Sequence, residues 1–296
     1  MAITIGAAIT ERLVVGTVVN NRIGKKNQPS KETAGDTADD WRGVPAEVLL
    51  DTVAEQIVTL ADGPSVDAVG LALPGMIRDG AILDSAILPQ LKGGNLEGLL
   101  RNALRARGIE AAHVRILNDA DAIAAGIAAQ RGVPDKRVRV WLLGDGVGLG
   151  SYPSDGGLRE GGHIVVSLDP HEKYCGCGGR GHLEGIVGAR AMRLRFFDLE
   201  PEEVFSSAFN GDDSRCSEFI LLWHRALAAA TATSIHMTGP GVYCLAGPFA
   251  KYANVGLLHR YTEEMVTLTS LQGYGFELIS NTEDAAIIGA AATALR

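Results

Sequence analysis

Between His163 and Glu184 the chain reads HIVVSLDPHEKYCGCGGRGHLE. Cys175 and Cys177 stand one residue apart among glycines, with His163 upstream and His182 downstream. Thiolate and imidazole are the ligands zinc prefers in a closed tetrahedral site. The pattern H-x11-C-x-C-x4-H supplies four of them. Gly176, Gly178, Gly179 and Gly181 let the backbone turn tightly enough for them to converge. Two thiolates and two neutral imidazoles would leave a Zn2+ site without net charge. The competing reading is a glycine-rich surface loop with an incidental His–Cys mix, but four ligand side chains in so short a span favour a metal. His171 rivals His182 for the fourth place.

Composition bounds the rest. With 296 residues the chain can form one large domain or two medium ones with real cores. Aromatics make up 5% and hydrophobic residues 46%, so Ala, Val, Leu and Ile must fill the core. A formal net charge of −8 argues against a nucleic-acid partner. Beyond the cluster, Cys216 and Cys244 are scattered and form no disulfide framework, which fits a reducing cytosol. The N-terminus lacks the pattern of a secretory signal, and no apolar run reaches membrane-spanning length. The expectation is a soluble cytoplasmic protein without a membrane or nucleic-acid partner.

Along the chain, residues 2–9 and 12–19 are apolar and partly β-branched, and Thr10-Glu11 between them reads as the turn of a β-hairpin. Residues 22–43 read as loop, and Lys25-Lys26 within them as a solvated turn. Residues 45–60 carry a helical apolar spacing, 66–75 read as a buried strand into Pro74-Gly75, and 76–95 as a glycine-punctuated loop region. A helix over 96–107 follows, then a strand ending at Asn118 and a helix opened by Asp119 and closed by Gly132. Residues 138–144 form a strand into Gly144–Gly150. Further expectations are helices near 183–195, 219–235, 256–271 and 282–295, a strand at 242–247, and a lobe-connecting loop within 198–217. Repeated strand–turn–helix units indicate an α/β fold. Ligands of open α/β sheets bind at the carboxyl ends of strands. Here those ends are Pro74-Gly75, Asn118-Asp119, Gly144–Gly150 and Gly247.

Several of these segments carry a resemblance. Glu160-Gly161-Gly162-His163, followed by Cys175-Gly176-Cys177-Gly178-Gly179-Arg180-Gly181-His182-Leu183-Glu184, is similar to the ROK family signature E-x-G-H and C-x-C-G-x-x-G-C-x-E. His182 stands where the family has a third cysteine. LNDADAIAAG resembles the family block L-x-N-D-x-x-x-A, and LALPGMIRDG resembles its G-x-P-G segment. The resemblance implies an actin-like ATPase (ribonuclease H-like) fold with two lobes around a cleft. One lobe would span about 1–117 and take back a final helix at 283–296; the other would span 118–282. It implies a sugar kinase in which Asp119 is the general base, while Asn118, Glu160, His163, Glu184 and Gly75 hold the sugar. His163, Cys175, Cys177 and His182 would hold a structural Zn2+. Asn118-Asp119 alone would read as a helix N-cap, and Glu160 and Glu184 alone as surface carboxylates.

The phosphate side departs from the family. Gly144-Asp145-Gly146-Val147-Gly148-Leu149-Gly150 resembles G-T-G-x-G-x-G, a loop whose N–H groups cradle phosphate, yet Asp145 replaces the usual Thr. A carboxylate there repels phosphate unless Mg2+ lies between. CLAGPFA, with Gly247, resembles the family's adenosine turn, with Pro248 in place of a second glycine. The D-x-G-G-T-K motif of the first hairpin is matched only by Thr4-Ile5-Gly6-Ala7-Ala8-Ile9. Asp145 is the candidate to supply the missing acid. Two readings follow: a kinase using ATP and Mg2+ on a hexose or amino-hexose, or a relative that keeps the sugar pocket and zinc but has abandoned nucleotide. No basic arm or helix-turn-helix extension suggests the repressor branch, and the resemblance implies a homodimer.

Overall fold

The computed structural model describes residues 3–10, 12–27, 41–133, 137–154, 157 and 159–295. The chain divides into two compact units. The first comprises Met1–Val138, Gly150–Arg159 and Asn281–Arg296, and the second Arg139–Leu149 and Glu160–Ser280.

The first unit is built on strands β1 (Thr4–Ile9), β2 (Leu13–Val19), β3 (Arg22–Lys26), β4 (Ser65–Leu73) and β7 (Glu110–Asn118), in the order β3-β2-β1-β4-β7. β1 pairs antiparallel with β2 and parallel with β4, and β4 pairs parallel with β7. Alternate residues of a strand face opposite sides of the sheet, and this sequence exploits that. Ile5, Ile9, Val69, Leu71 and Leu73 share a core with helices α1 (Ala46–Leu60) and α2 (Leu96–Ala106), through Leu49, Val53, Ile57, Leu100 and Leu104. On the other face stand Gly6 and Gly70. A Cβ at either would overlap a backbone carbonyl of helix α9 (Thr282–Ala294), at Ile287 and Ala290. Large side chains on one face and none on the other therefore set two different packing distances.

The second unit holds a sheet of strands β8 (Val138–Leu143), β9 (Val147–Tyr152), β10 (Val242–Ala246) and β11 (Gly275–Leu278), in the order β11-β10-β8-β9. Helices α4 (Glu184–Val187), α5 (Ala189–Arg195), α6 (Pro201–Asn210), α7 (Ser214–Thr238) and α8 (Val255–Met265) complete it. Its core gathers Trp141, Phe205, Phe219, Trp223, Tyr243 and Phe276, so the few aromatics of this chain are concentrated here. Phe205 stacks on Tyr252 at 4.3 Å between centroids and meets Trp223 edge-on at 5.5 Å. Among the described residues no helix is long and apolar enough to cross a membrane.

Several expectations are corrected. The loop proposed for 22–43 contains strand β3, and Lys25 and Lys26 belong to it. Its side chains are half-buried or exposed at this sheet edge, so no buried apolar alternation marked it. Residues 28–40 of that loop, and Glu11 of the proposed turn, lie outside the described residues. The region 76–95 contains a hairpin, β5 (Met76–Arg78) with β6 (Ala81–Asp84), turned by Asp79-Gly80, both at positive φ. The polar stretch 198–217 is no lobe connector. It holds α6, opened by a capping box between Glu200 and Glu203 and closed by Gly211 at φ 75, all inside the second unit. The helix at 183–195 is divided at Gly188 into α4 and α5, and the one at 256–271 ends at Met265. Helix α3 (Asp119–Arg131) and residues 150–159 belong with the first unit, where the expected boundary at 118 put them in the second. Their close backbone packing decides this: a Cβ at Gly126 of α3 would overlap the carbonyl of Ala285 on α9, and one at Gly150 that of Ala120.

Candidate metal and substrate site

In the second unit a 3₁₀ turn, Gly161–His163, follows β9 in the sequence, and the cysteine loop comes next. A Cβ at Gly161 would overlap Leu149, and one at Gly162 the carbonyl of Val147. The two glycines thus let the turn carrying Glu160 and His163 lie flat against β9. The ends of the loop are closed by backbone bonds. Val166 N donates to Gly181 O at 2.8 Å and Leu183 N to Ile164 O at 2.9 Å, around a bridge between Val165 and His182. Gly178 at φ 83 and Gly181 at φ 69 make the turns between. A side chain at Gly181 would also strike the carbonyl of Ser167.

This closure brings His163, Cys175, Cys177 and His182 together, with one ligand atom of each within 4.8 Å of all the others. Cys175 Sγ lies 3.4 Å from Cys177 Sγ, and Cys177 Sγ 3.3 Å from His182 Nδ1. The edges of a tetrahedron with zinc–sulfur and zinc–nitrogen bonds are about 3.3–3.8 Å, so the donor set and its spacing suit a tetrahedral cation. His171 is outside the cluster. Its side chain is 90% exposed and its Nδ1 is 2.9 Å from Asp169 Oδ1, so His182 takes the fourth place. Burial pushes the Cys175 thiol up to about 12. Burial, and then the neighbouring His163, push His182 below its ordinary value.

Glu184 opens α4 beside this cluster. Its Oε1 is 3.5 Å from Cys175 Sγ, and its Oε2 accepts from Val147 N at 3.1 Å. Glu160 Oε2 stands 3.8 Å from His163 Nδ1. Gly144, Asp145 and Gly146 form the turn between β8 and β9, with Gly148 inside β9. The carbonyls of Gly144 and Asp145 accept from Ala189 N and Arg190 N at 3.0 and 3.2 Å, capping the first turn of α5. Asp145 Oδ1 accepts from Arg193 Nη1 at 2.8 Å, and Arg193 also reaches Glu200 at 3.0 Å. The carboxylate that the sequence set beside a phosphate loop is thus met by a guanidinium of its own unit. Arg193 escaped the sequence reading because one arginine among the Arg-rich residues 190–195 carries no spacing signal. Gly247 ends β10 at φ 92, where a Cβ would crowd the Leu143 carbonyl.

In the first unit, β4 and β7 run parallel and Leu73 is registered with Asn118. Their carboxyl ends therefore put Pro74-Gly75 beside Asn118-Asp119. Asn118 Nδ2 donates to Gly75 O at 3.0 Å, and its Oδ1 accepts from Asp121 N at 3.0 Å as the N-cap of α3. Gly75 has φ 135, and a side chain there would crowd Ser85. Asp119 is 8% exposed, and its Oδ1 accepts from Ala120 N at 2.8 Å. The capping role and the candidate functional position coincide, with Asn118 as the cap. The stretch Thr4–Ile9, matched above to the phosphate motif, is buried strand from end to end. β1 and β2 pair as far as Ile9 with Leu13, and Arg12 Nε donates to Glu283 Oε1 at 2.6 Å. Lys26 pairs with Glu283 and Asp284 at 2.9 Å, and Lys25 pairs with Asp62.

The chain has recognisable relatives. A glucokinase of Pyrobaculum calidifontis is 32% identical over 168 residues, covering 52% of this chain and 56% of that protein. A glucokinase of Thermotoga maritima is 27% identical over 284 residues, covering 83% of this chain and 84% of that protein. The chain thus spans little more than half of the first relative and most of the second. The crystal structure of a ROK hexokinase from Thermus thermophilus superposes with a TM-score of 0.74 at 21% identity, covering 99% of this chain and 97% of that one. The fold is thereby the actin-like ATPase fold expected from the signature. The sequence pattern describing the ROK family matches residues 25–296, and the chain belongs to the ROK family.

Proposed function

We propose that the protein is a sugar kinase that phosphorylates a hydroxyl of a hexose, glucose being the first candidate, and that Asp119 is its general base. The observation that carries the reading is the state of the Asn118-Asp119 pair. Asp119 is buried where β7, the outermost strand of its sheet, passes into α3, and Asn118 is locked from both sides by Gly75 and Asp121. A carboxylate held on a rigid strand end can accept a hydroxyl proton as the sugar oxygen becomes a nucleophile. Asn118 keeps a second amide proton to orient that sugar. Glu160, His163 and Glu184 hold further hydroxyls. A structural zinc on His163, Cys175, Cys177 and His182 would fix two of those three groups before the sugar arrives. ATP with Mg2+ would supply the phosphoryl group. The turn Gly144–Gly146 and Gly247 would line its side of the site, with Arg193 offsetting the charge of Asp145.

One observation favours a second reading, a relative without ATP chemistry: the buried strand Thr4–Ile9 carries no carboxylate and no lysine. One experiment separates the two. Purified protein is given ATP-Mg and a panel of hexoses and amino-hexoses, with product formation and calorimetric binding measured together. The kinase reading expects turnover with glucose or a close analogue. It also expects a loss of about 10²–10⁴-fold in Asp119→Asn, with sugar binding retained. Sugar binding without any ATP-dependent turnover establishes the second reading instead. A fully active Asp119→Asn would refute the assignment of the base.

A further inference from the structure

Arg195, the last residue of α5, touches the metal loop at three separate points. Its Nη1 and Nη2 form a two-pronged pair with Glu172 Oε1 and Oε2 at 3.1 and 2.6 Å. Nη2 also donates to the carbonyl of Gly185 at 3.1 Å. The guanidinium lies 4.2 Å from the ring centroid of Tyr174 and 5.2 Å from that of Phe219. Each contact adjoins a ligand or a substrate group. Tyr174 precedes Cys175. The carbonyl of Glu172 accepts from Gly181 N at 2.8 Å, next to His182. Gly185 follows Glu184. Phe219 belongs to α7 and to the aromatic core, so the guanidinium ties the loop to the rigid body of its unit.

The pair is largely withdrawn from water, with side-chain exposures of 17% for Arg195 and 13% for Glu172. Arg195 Nε is buried without a hydrogen-bond partner among the described residues. A desolvated guanidinium with one orphaned donor is costly. The bidentate geometry and the stacked ring offset that cost only if the loop is held in this one arrangement. Loop closure by backbone bonds alone would not need the charge.

We propose that Arg195 is a positioning residue for the metal site and the sugar pocket. It holds Glu172, Tyr174 and Gly185 so that Cys175, His182 and Glu184 are in place before the metal or the sugar binds. This rests on the zinc reading above and goes beyond it, since it concerns what presets the ligands. Partners that orient ligands typically change metal affinity by 10–100-fold when removed.

The test uses the zinc-loaded full chain and two variants, Arg195→Met and Glu172→Gln, with Arg195→Lys as the conservative control. Zinc transfer to a coloured chelator is timed, and the visible spectrum of the cobalt-substituted protein reports ligand geometry. The expected result is zinc release at least about tenfold faster in both variants, with Arg195→Lys between them and the wild type. The cobalt bands of both variants should broaden or shift. In a phosphoryl-transfer assay KM for the sugar should rise more than kcat falls, because Glu184 is loosened while Asp119 is untouched. Folded variants that release zinc at the wild-type rate, with an unchanged cobalt spectrum, would overturn the role. If Arg195→Met does not fold, Glu172→Gln decides, since it leaves the arginine in place. A wild type that contains no metal and takes none up would instead refute the zinc reading.

Discussion

His224 lies inside α7, 1% exposed, with both ring nitrogens engaged. Nδ1 donates to Ile220 O at 2.7 Å, and Nε2 accepts from Asn254 N at 2.9 Å, at the N-cap of α8. Only the neutral ring satisfies both bonds, and burial pushes its pKa below the ordinary value of 6.5. The sign follows from linkage. Below pH 6.5 the unfolded chain takes up a proton that the folded one refuses. The contribution of this group is therefore fully present above pH 6.5 and is lost as the pH falls towards the depressed folded value. Urea unfolding between pH 7 and 5, at saturating zinc, should show stability falling with acid in the wild type. The slope should be shallower in His224→Gln, and equal slopes would remove His224 as the cause. Asp145 shows the same dependence on neighbours. From its position in a glycine-rich loop it reads as a lone acid; in the folded chain it pairs with Arg193 and raises the arginine's pKa.

Among elements, the pairing of α3 with α9 is the least forgiving. A Cβ at Gly289 would overlap the carbonyl of Ala122, just as one at Gly126 would overlap that of Ala285. The helices approach at backbone distance because alanine and glycine cover both faces: Ala122, Ala125 and Gly126 on one side, and Ala285, Ala286 and Gly289 on the other. Dispersion gained at such contact replaces the bulk that larger side chains would bury, and it cannot absorb a methyl group without moving a helix. Gly289→Ala is expected to lower the unfolding free energy by about 3 kcal/mol. Gly63→Ala, where an added Cβ meets nothing within 4 Å, should leave it unchanged. Because Asp119 opens α3, the Gly289 variant should also lose activity at temperatures where it is still folded. A neutral Gly289→Ala would show that the helices have slack.

For the whole molecule, the two units bury separate cores, one aliphatic and one rich in aromatic rings. The four candidate metal ligands belong wholly to the second unit. Zinc that binds only the folded loop stabilises that unit by mass action, by about 3 kcal/mol at a hundredfold excess over Kd. Stripping the metal should therefore lower Tm for the transition that quenches the buried Trp141 and Trp223, and added zinc should restore it. Cys175→Ser with Cys177→Ser should show the low Tm with or without zinc. A chelator without effect on a metal-containing wild type would mean that the site is not structural.

Local chemistry made much of this legible without coordinates. The candidate metal ligands, the glycines that close their loop and the cap at Asn118 are properties of neighbouring residues. Strand ends and helix starts could be placed because Gly, Pro, Asn and Asp act within a turn's length. The sequence alone thus determined an α/β chain with a four-ligand cluster and an acid at a strand end. Tertiary structure decided what depends on distant partners. It ranked His182 over His171, because only His182 is drawn to the cysteines by the bridge to Val165. It moved α3 into the first unit, because the small-residue contact with α9 joins segments that no local period relates. It also gave Asp145 and Glu172 their arginines, since an ion pair leaves no mark in the sequence until folding brings its two halves together.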